Sequence, residues 1–68
     1  MRDIYIILRD RFLNDFHYFD AEMDSLNVKD EVSGLDEYEL GRLNNLTGQR
    51  DYAYRQVKFF EELIEYYK

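Results

Sequence analysis

A chain of 68 residues is one domain at most, and one this short buries too little surface to be robust alone without a disulfide, a metal or a partner subunit. It has no cysteine and a single histidine, His17, which excludes disulfides, thiolate metal sites and multi-histidine cages and leaves association as the reinforcement. With 15 acidic and 9 basic residues its net charge is −6, which opposes binding to nucleic-acid phosphates or anionic membranes and points to protein partners with basic surfaces.

Proline is absent and glycine occurs only at 34, 41 and 48, a text suited to long uninterrupted helices. The first predicted helix spans residues 3–26. Asp3 can cap its start, and Tyr5, Leu8, Phe12, Phe16, Phe19, Met23 and Leu26 recur at spacings of three and four, one stripe of an amphipathic helix. Ile6, Ile7, Leu13 and Tyr18 fall off that stripe. The apolar run Ile4–Leu8 is followed at once by Arg9, Asp10 and Arg11, so neither a signal peptide nor a membrane span is expected, and the expected location is cytoplasmic.

The period lapses over residues 27–33, the predicted turn. Asn27 is a plausible helix stop, and Ser33 with Asp36 three residues on resembles a capping box. The second predicted helix covers residues 34–67. Leu35, Leu46, Ala53, Val57, Phe60, Ile64 and Tyr67 share one stripe, and Tyr52, Gln56, Phe59, Leu63 and Tyr66 form another beside it. Two neighbouring stripes suit a helix that touches two others, as in a four-helix bundle. A break around Asn44–Gly48 is the alternative, and it would make three helices.

The expected fold is therefore all-α: a hairpin of two long antiparallel helices that dimerises into a four-helix-bundle-like or coiled-coil assembly. At 1.5 Å per residue the helices would be roughly 36 and 50 Å long, so the first would leave Phe60–Lys68 overhanging. Seven Tyr and five Phe also exceed what one narrow seam can shelter. Phe60, Ile64, Tyr67, Phe59 and Leu63 are accordingly the self-association candidates.

The partner-binding candidates are Gly48, Tyr52, Tyr54, Asp51, Asp20 and Asp24. Gly41 and Gly48, seven apart, lie on one helical face; they make either a flat patch that admits a partner or a local helix break. Tyr52, Tyr54, Tyr66 and Tyr67 are of the type enriched in interface hot spots. Asp15, Asp20, Glu22 and Asp24, with Glu61, Glu62 and Glu65, read mainly as a solvated face, with an acidic stripe imitating DNA phosphates as the sharper variant. No Glu-x-x-His pair, phosphate loop, dinucleotide fingerprint or zinc spacing occurs, so no catalytic, cofactor or metal site is expected.

The run Leu46-Thr47-Gly48-Gln49-Arg50-Asp51-Tyr52-Ala53-Tyr54-Arg55-Gln56-Val57, completed by Phe59, Phe60, Leu63 and Ile64, resembles a pattern of small phage and prophage accessory helical-hairpin proteins. The resemblance covers about a third of the chain. It implies a phage-encoded hairpin, sometimes an inhibitor of a host defence or replication protein; anti-CRISPR proteins are similar in size and charge. The expectation is a non-enzymatic protein-binding module, in dimeric form, that blocks a host protein. The alternative is a structural coiled-coil subunit or scaffold piece.

Overall fold

A computed structural model describes residues 2–68. They form two helices, α1 (Arg2–Ser33) and α2 (Glu37–Tyr66), folded back on each other as an all-α hairpin. The rod's longest dimension is 49 Å, about the length of either helix alone at 1.5 Å per residue.

The turn is shorter and later than residues 27–33. Asn27 does not stop the first helix, which runs seven residues beyond Leu26 to Ser33. An asparagine followed by neither glycine nor proline leaves the helical hydrogen bonds free to continue, and the apolar period lapses only because this stretch lies at the solvated end: Val28 and Val32 are exposed. The stop comes at Gly34, whose φ of +79° is a left-handed conformation that glycine alone adopts without strain. Its N–H donates to the Asp30 carbonyl at 3.2 Å and closes the last turn.

The capping box also differs from the Ser33–Asp36 pair. Asp36 is the N-cap of α2: its Oδ1 accepts from the Glu39 N–H at 2.8 Å, while the Glu39 carboxylate accepts from the Asp36 N–H at 3.3 Å. The Ser33 hydroxyl instead donates back to the Lys29 carbonyl. From Glu37 onward α2 is unbroken through Asn44–Gly48, so there are two helices and not three. A Cβ added at Gly41 or Gly48 would meet nothing within 4 Å; neither glycine is there to admit the neighbouring helix of the same chain.

The predicted stripes meet. On α1 every member of the Tyr5-to-Leu26 stripe is at least half-buried, Met23 the most deeply. On α2 the buried residues are Leu46, Ala53 and Val57, with Leu35, Phe60 and Ile64 half-buried and Tyr67 less covered. Leu43, Thr47 and Arg50, absent from that stripe, are also half-buried.

With helices of 32 and 30 residues, the overhang expected for Phe60–Lys68 does not exist. Displacing the turn by several residues slides α1 along α2 and sets Tyr5 beside Phe60 (ring centroids 6.1 Å) and Tyr67 (5.8 Å). Phe12 stacks on Phe60 at 5.9 Å and meets the Tyr52 ring edge-on at 6.1 Å. Toward the turn, ion pairs replace rings: Asp20–Arg50, Glu22–Arg42 and Glu39–Lys29 bridge the helices.

Two opposite shifts in stability follow. Asp36→Ala removes the cap and costs about 1 kcal/mol, a fall of about 4–8 °C in melting temperature, and Gly34→Ala is destabilising because it forces an L residue to φ +79°. Gly41→Ala and Gly48→Ala add open-space methyls and each raise stability by up to about 1 kcal/mol. Thermal melts followed by circular dichroism check all four signs.

Candidate functional site

The seam of α2 that packs on α1 includes Leu46, Arg50, Ala53, Val57, Phe60, Ile64 and Tyr67. Subtracting one from each position gives a second row: Asn45, Gln49, Tyr52, Gln56, Phe59, Leu63 and Tyr66. Both rows keep the three-four alternation of a heptad seam, and a one-residue offset is a rotation of about 100° around the helix. The second row therefore lies beside the intrachain seam: Tyr52 meets Phe12 edge-on, Gln56 and Leu63 are half-buried, and the other members are exposed. It carries no charged residue over seven positions. Its aromatic members are open: Tyr52 is 58% exposed, Phe59 52% and Tyr66 80%.

Between the helices on this face runs a groove of about 490 Å³, bounded by Phe12, Asp15 and Phe19 on α1 and by Gly48, Gln49 and Tyr52 among others on α2. Gly48 makes the groove wide, since no side chain stands on that stretch of the wall. By register Ile4, 58% exposed, belongs to the same face at the far end, near Leu63 and Tyr66. The face thus has knobs toward the carboxyl end of α2 and a hollow near its middle.

The partner-binding candidates do not come together as one patch. Gly48 and Tyr52 flank the groove. Tyr54 lies across the hairpin, with its ring 5.9 Å from Phe16 and the Lys58 ammonium 5.5 Å above it, so half of it is already packed. Asp20 on that side is held by Arg50 at 3.1 Å. Asp24 and Asp51 are exposed, Asp51 on the outer ridge of α2. Among the self-association candidates, Phe60 stacks on Tyr5 and Tyr67 lies tilted against it, Ile64 and Leu63 are both half-buried, and Phe59 is exposed on the second row. Tyr66 already stood out as an interface-type tyrosine of the second stripe, whereas Gln49 and Asn45 were not among the candidates. Their signal was the unbroken three-four spacing without charge, which a search for apolar residues passes over at Asn and Gln.

Nearer the turn, in a separate hollow lined by Tyr18, Glu22 and Arg42, charge is organised by Glu22. Hydrogen bonds from Arg42 and then Tyr18 hold its carboxyl below the usual range, and the same contact raises the Tyr18 hydroxyl and the Arg42 guanidinium. Lys29 is raised by its hydrogen bond to Glu39. Tyr18, Lys29 and Arg42 are exposed and Glu22 and Glu39 only half-buried, so the pairs fix register more than they add stability. His17 is exposed, its ring edge-on to Phe16 at 5.6 Å. Among the described residues no cluster of three His, Asp or Glu side chains could hold a metal ion, and no helix is long and apolar enough to cross a membrane.

No protein-family model, curated protein or solved structure matches this chain. The neutral row and its groove therefore stand on their own geometry.

The pH dependence of stability has a defined shape. The depressed Glu22 carboxyl contributes stability that is present above the ordinary carboxylate range and is lost as pH falls through its folded value. The raised Tyr18 and Lys29 contribute stability that is complete below their ordinary values and is lost as pH rises through the folded ones. Urea unfolding across pH is expected to give a plateau with an acid and an alkaline shoulder; Glu22→Gln should weaken the acid shoulder and leave the Lys29 part of the alkaline one in place.

Proposed function

We propose that this chain is a non-enzymatic protein-binding module that works by laying the neutral aromatic row of α2 against another protein surface. One contrast carries the reading: among the described residues four side chains are buried, Met23, Leu46, Ala53 and Val57, while twelve large hydrophobic ones are exposed. Scattered single apolar residues on a surface need no explanation, but Tyr52, Phe59 and Tyr66 lie in one uncharged line beside a groove. Tyrosine suits such a place because its ring is buried on binding while its hydroxyl stays wet.

The narrower proposal concerns the partner. The acidic surface and the resemblance of residues 46–57 to phage and prophage hairpins favour an accessory protein of a phage or mobile element. Such a protein would act in the host cytoplasm and inhibit a host defence or nucleic-acid-processing factor. Imitation of DNA phosphates draws less support, since Asp20, Glu22 and Glu39 are each paired with a cation of the same chain. A second reading is favoured by the two side-by-side heptad rows, which suit a structural subunit packed between helices of a larger assembly.

The test is affinity capture from a lysate of the source organism, with the chain and its Phe59→Asp/Tyr66→Asp variant as baits of equal helicity. A protein held by the unaltered chain and lost by the variant is the expected result. A captured host enzyme that the chain inhibits supports the antagonist, and a captured multi-subunit assembly supports the structural reading. Equal recovery by both baits removes the α2 row as the working surface.

A further inference from the structure

The α2 row is self-complementary. Building on the protein-binding reading above, we propose that its occupant is a second copy of this chain, docked antiparallel about a twofold axis through Gln56. Tyr52 and Phe59 flank Gln56 by four and three positions, Gln49 and Leu63 by seven each, and Asn45 and Tyr66 by eleven and ten. Turning one helix end for end about Gln56 therefore sets Phe59 against Tyr52, Leu63 against Gln49 beside the bare Gly48, and Tyr66 against Asn45. Large side chains meet small or slender ones at each level beyond the central aromatic pair.

The groove sits where this operation needs it. Gly48 and Gln49 on its α2 wall lie seven or eight residues from the axis, about 11–12 Å, on one side, and Leu63 lies the same distance on the other. The knobs of each copy enter the hollow of the other, and the two contacts are identical, as an isologous interface requires. A parallel pairing would set Tyr66 on Tyr66 and leave hollow facing hollow. On the axis, Gln56 meets its own image. A carboxamide both donates and accepts, so the two satisfy each other and fix the register, the role a lone polar residue takes in a coiled-coil seam.

Charge and area agree with a second copy. Two chains of net −6 repel, and along a row with no charged residue their α2 helices meet without opposing carboxylates, Asp15 being the one carboxylate that the hollow brings to the contact. The groove lining carries one charged side chain, Asp15, which offers little to a strongly basic partner. The hairpin exposes 5245 Å², against roughly 4600 Å² for a typical compact protein of its mass. The excess approaches the ~800 Å² per partner that a standard stable interface covers.

Sedimentation equilibrium of the full chain over a concentration series tests the proposal. Twice the 8.4 kDa chain mass is expected, retained at high salt, since apolar burial and not ion pairing holds the copies together. Leu63→Asp should give the single-chain mass. Gly48→Phe places its ring in space that is open within the hairpin, so the fold survives while the dissociation constant rises by roughly tenfold or more. Because the chain lacks cysteine, orientation is read by mixing Gln49→Cys with Leu63→Cys under oxidation: the two variants should cross-link to each other and neither to itself. A single-chain mass throughout the series overturns the dimer; if capture by the Phe59/Tyr66 row persists, the protein-binding reading stands with a different occupant. A dimer indifferent to both Leu63→Asp and Gly48→Phe overturns this face, and Gln49→Cys linking to itself overturns the antiparallel order.

Discussion

Gly34 and the three-residue connection it opens determine which residue of α1 meets which residue of α2. A hairpin of two rods has a single sliding degree of freedom, and the turn removes it. The left-handed φ at Gly34 ends α1, and the Asp36–Glu39 box starts α2 two residues later. Glu39 ties the connection together, since its carboxylate accepts from the Asp36 N–H and from the Lys29 ammonium of the helix just ended. Every longer-range pairing, from Glu22–Arg42 to Tyr5–Tyr67, takes its register from this corner.

The two halves of the rod are held by different physics. Near the turn, three cross-helix ion pairs sit at the edges of a thin apolar seam, where solvent screens them and their main effect is directional. Far from the turn, Tyr5, Phe12, Phe60 and Tyr67 form a run of ring contacts that bury area and add geometric preference. Helix ends fray when left unpacked, so the stronger packing lies where the connection gives least help. Nowhere is the seam thick: among the described residues no large side chain is fully buried.

That thinness leaves apolar side chains of α2 in the open. Two helices can bury one stripe each, and α2 carries two. The second, neutral and aromatic, is left mostly exposed, and the acidic groups are distributed elsewhere on the rod. A surface of this kind favours one mode of contact and penalises the rest, which is how a charged rim gives specificity to an apolar core.

Much of the fold was legible in the sequence because amphipathic period is a local property. Tyr5 to Leu26 and Leu46 to Tyr67 declare their helices and their inward faces within each segment, and the paired rows of α2 are visible as two three-four series one residue apart. The register was not legible. Asn27 and Gly34 are both permissible stops, and the choice between them depends on whether Val28 and Val32 can be left in water, which no local pattern states. That choice moved the turn by several residues, set Tyr5 against Phe60 and Tyr67, and placed Phe60, expected to face a second copy, in the half-buried seam of the hairpin. Tyr52 and Tyr54, two positions apart on one helix, point to opposite sides of the rod by helical geometry alone. The sequence by itself determined the helices and their apolar faces, since those depend on residues a few positions apart. Which faces remained open was decided only by tertiary structure, because it depends on contacts between residues twenty to sixty positions apart.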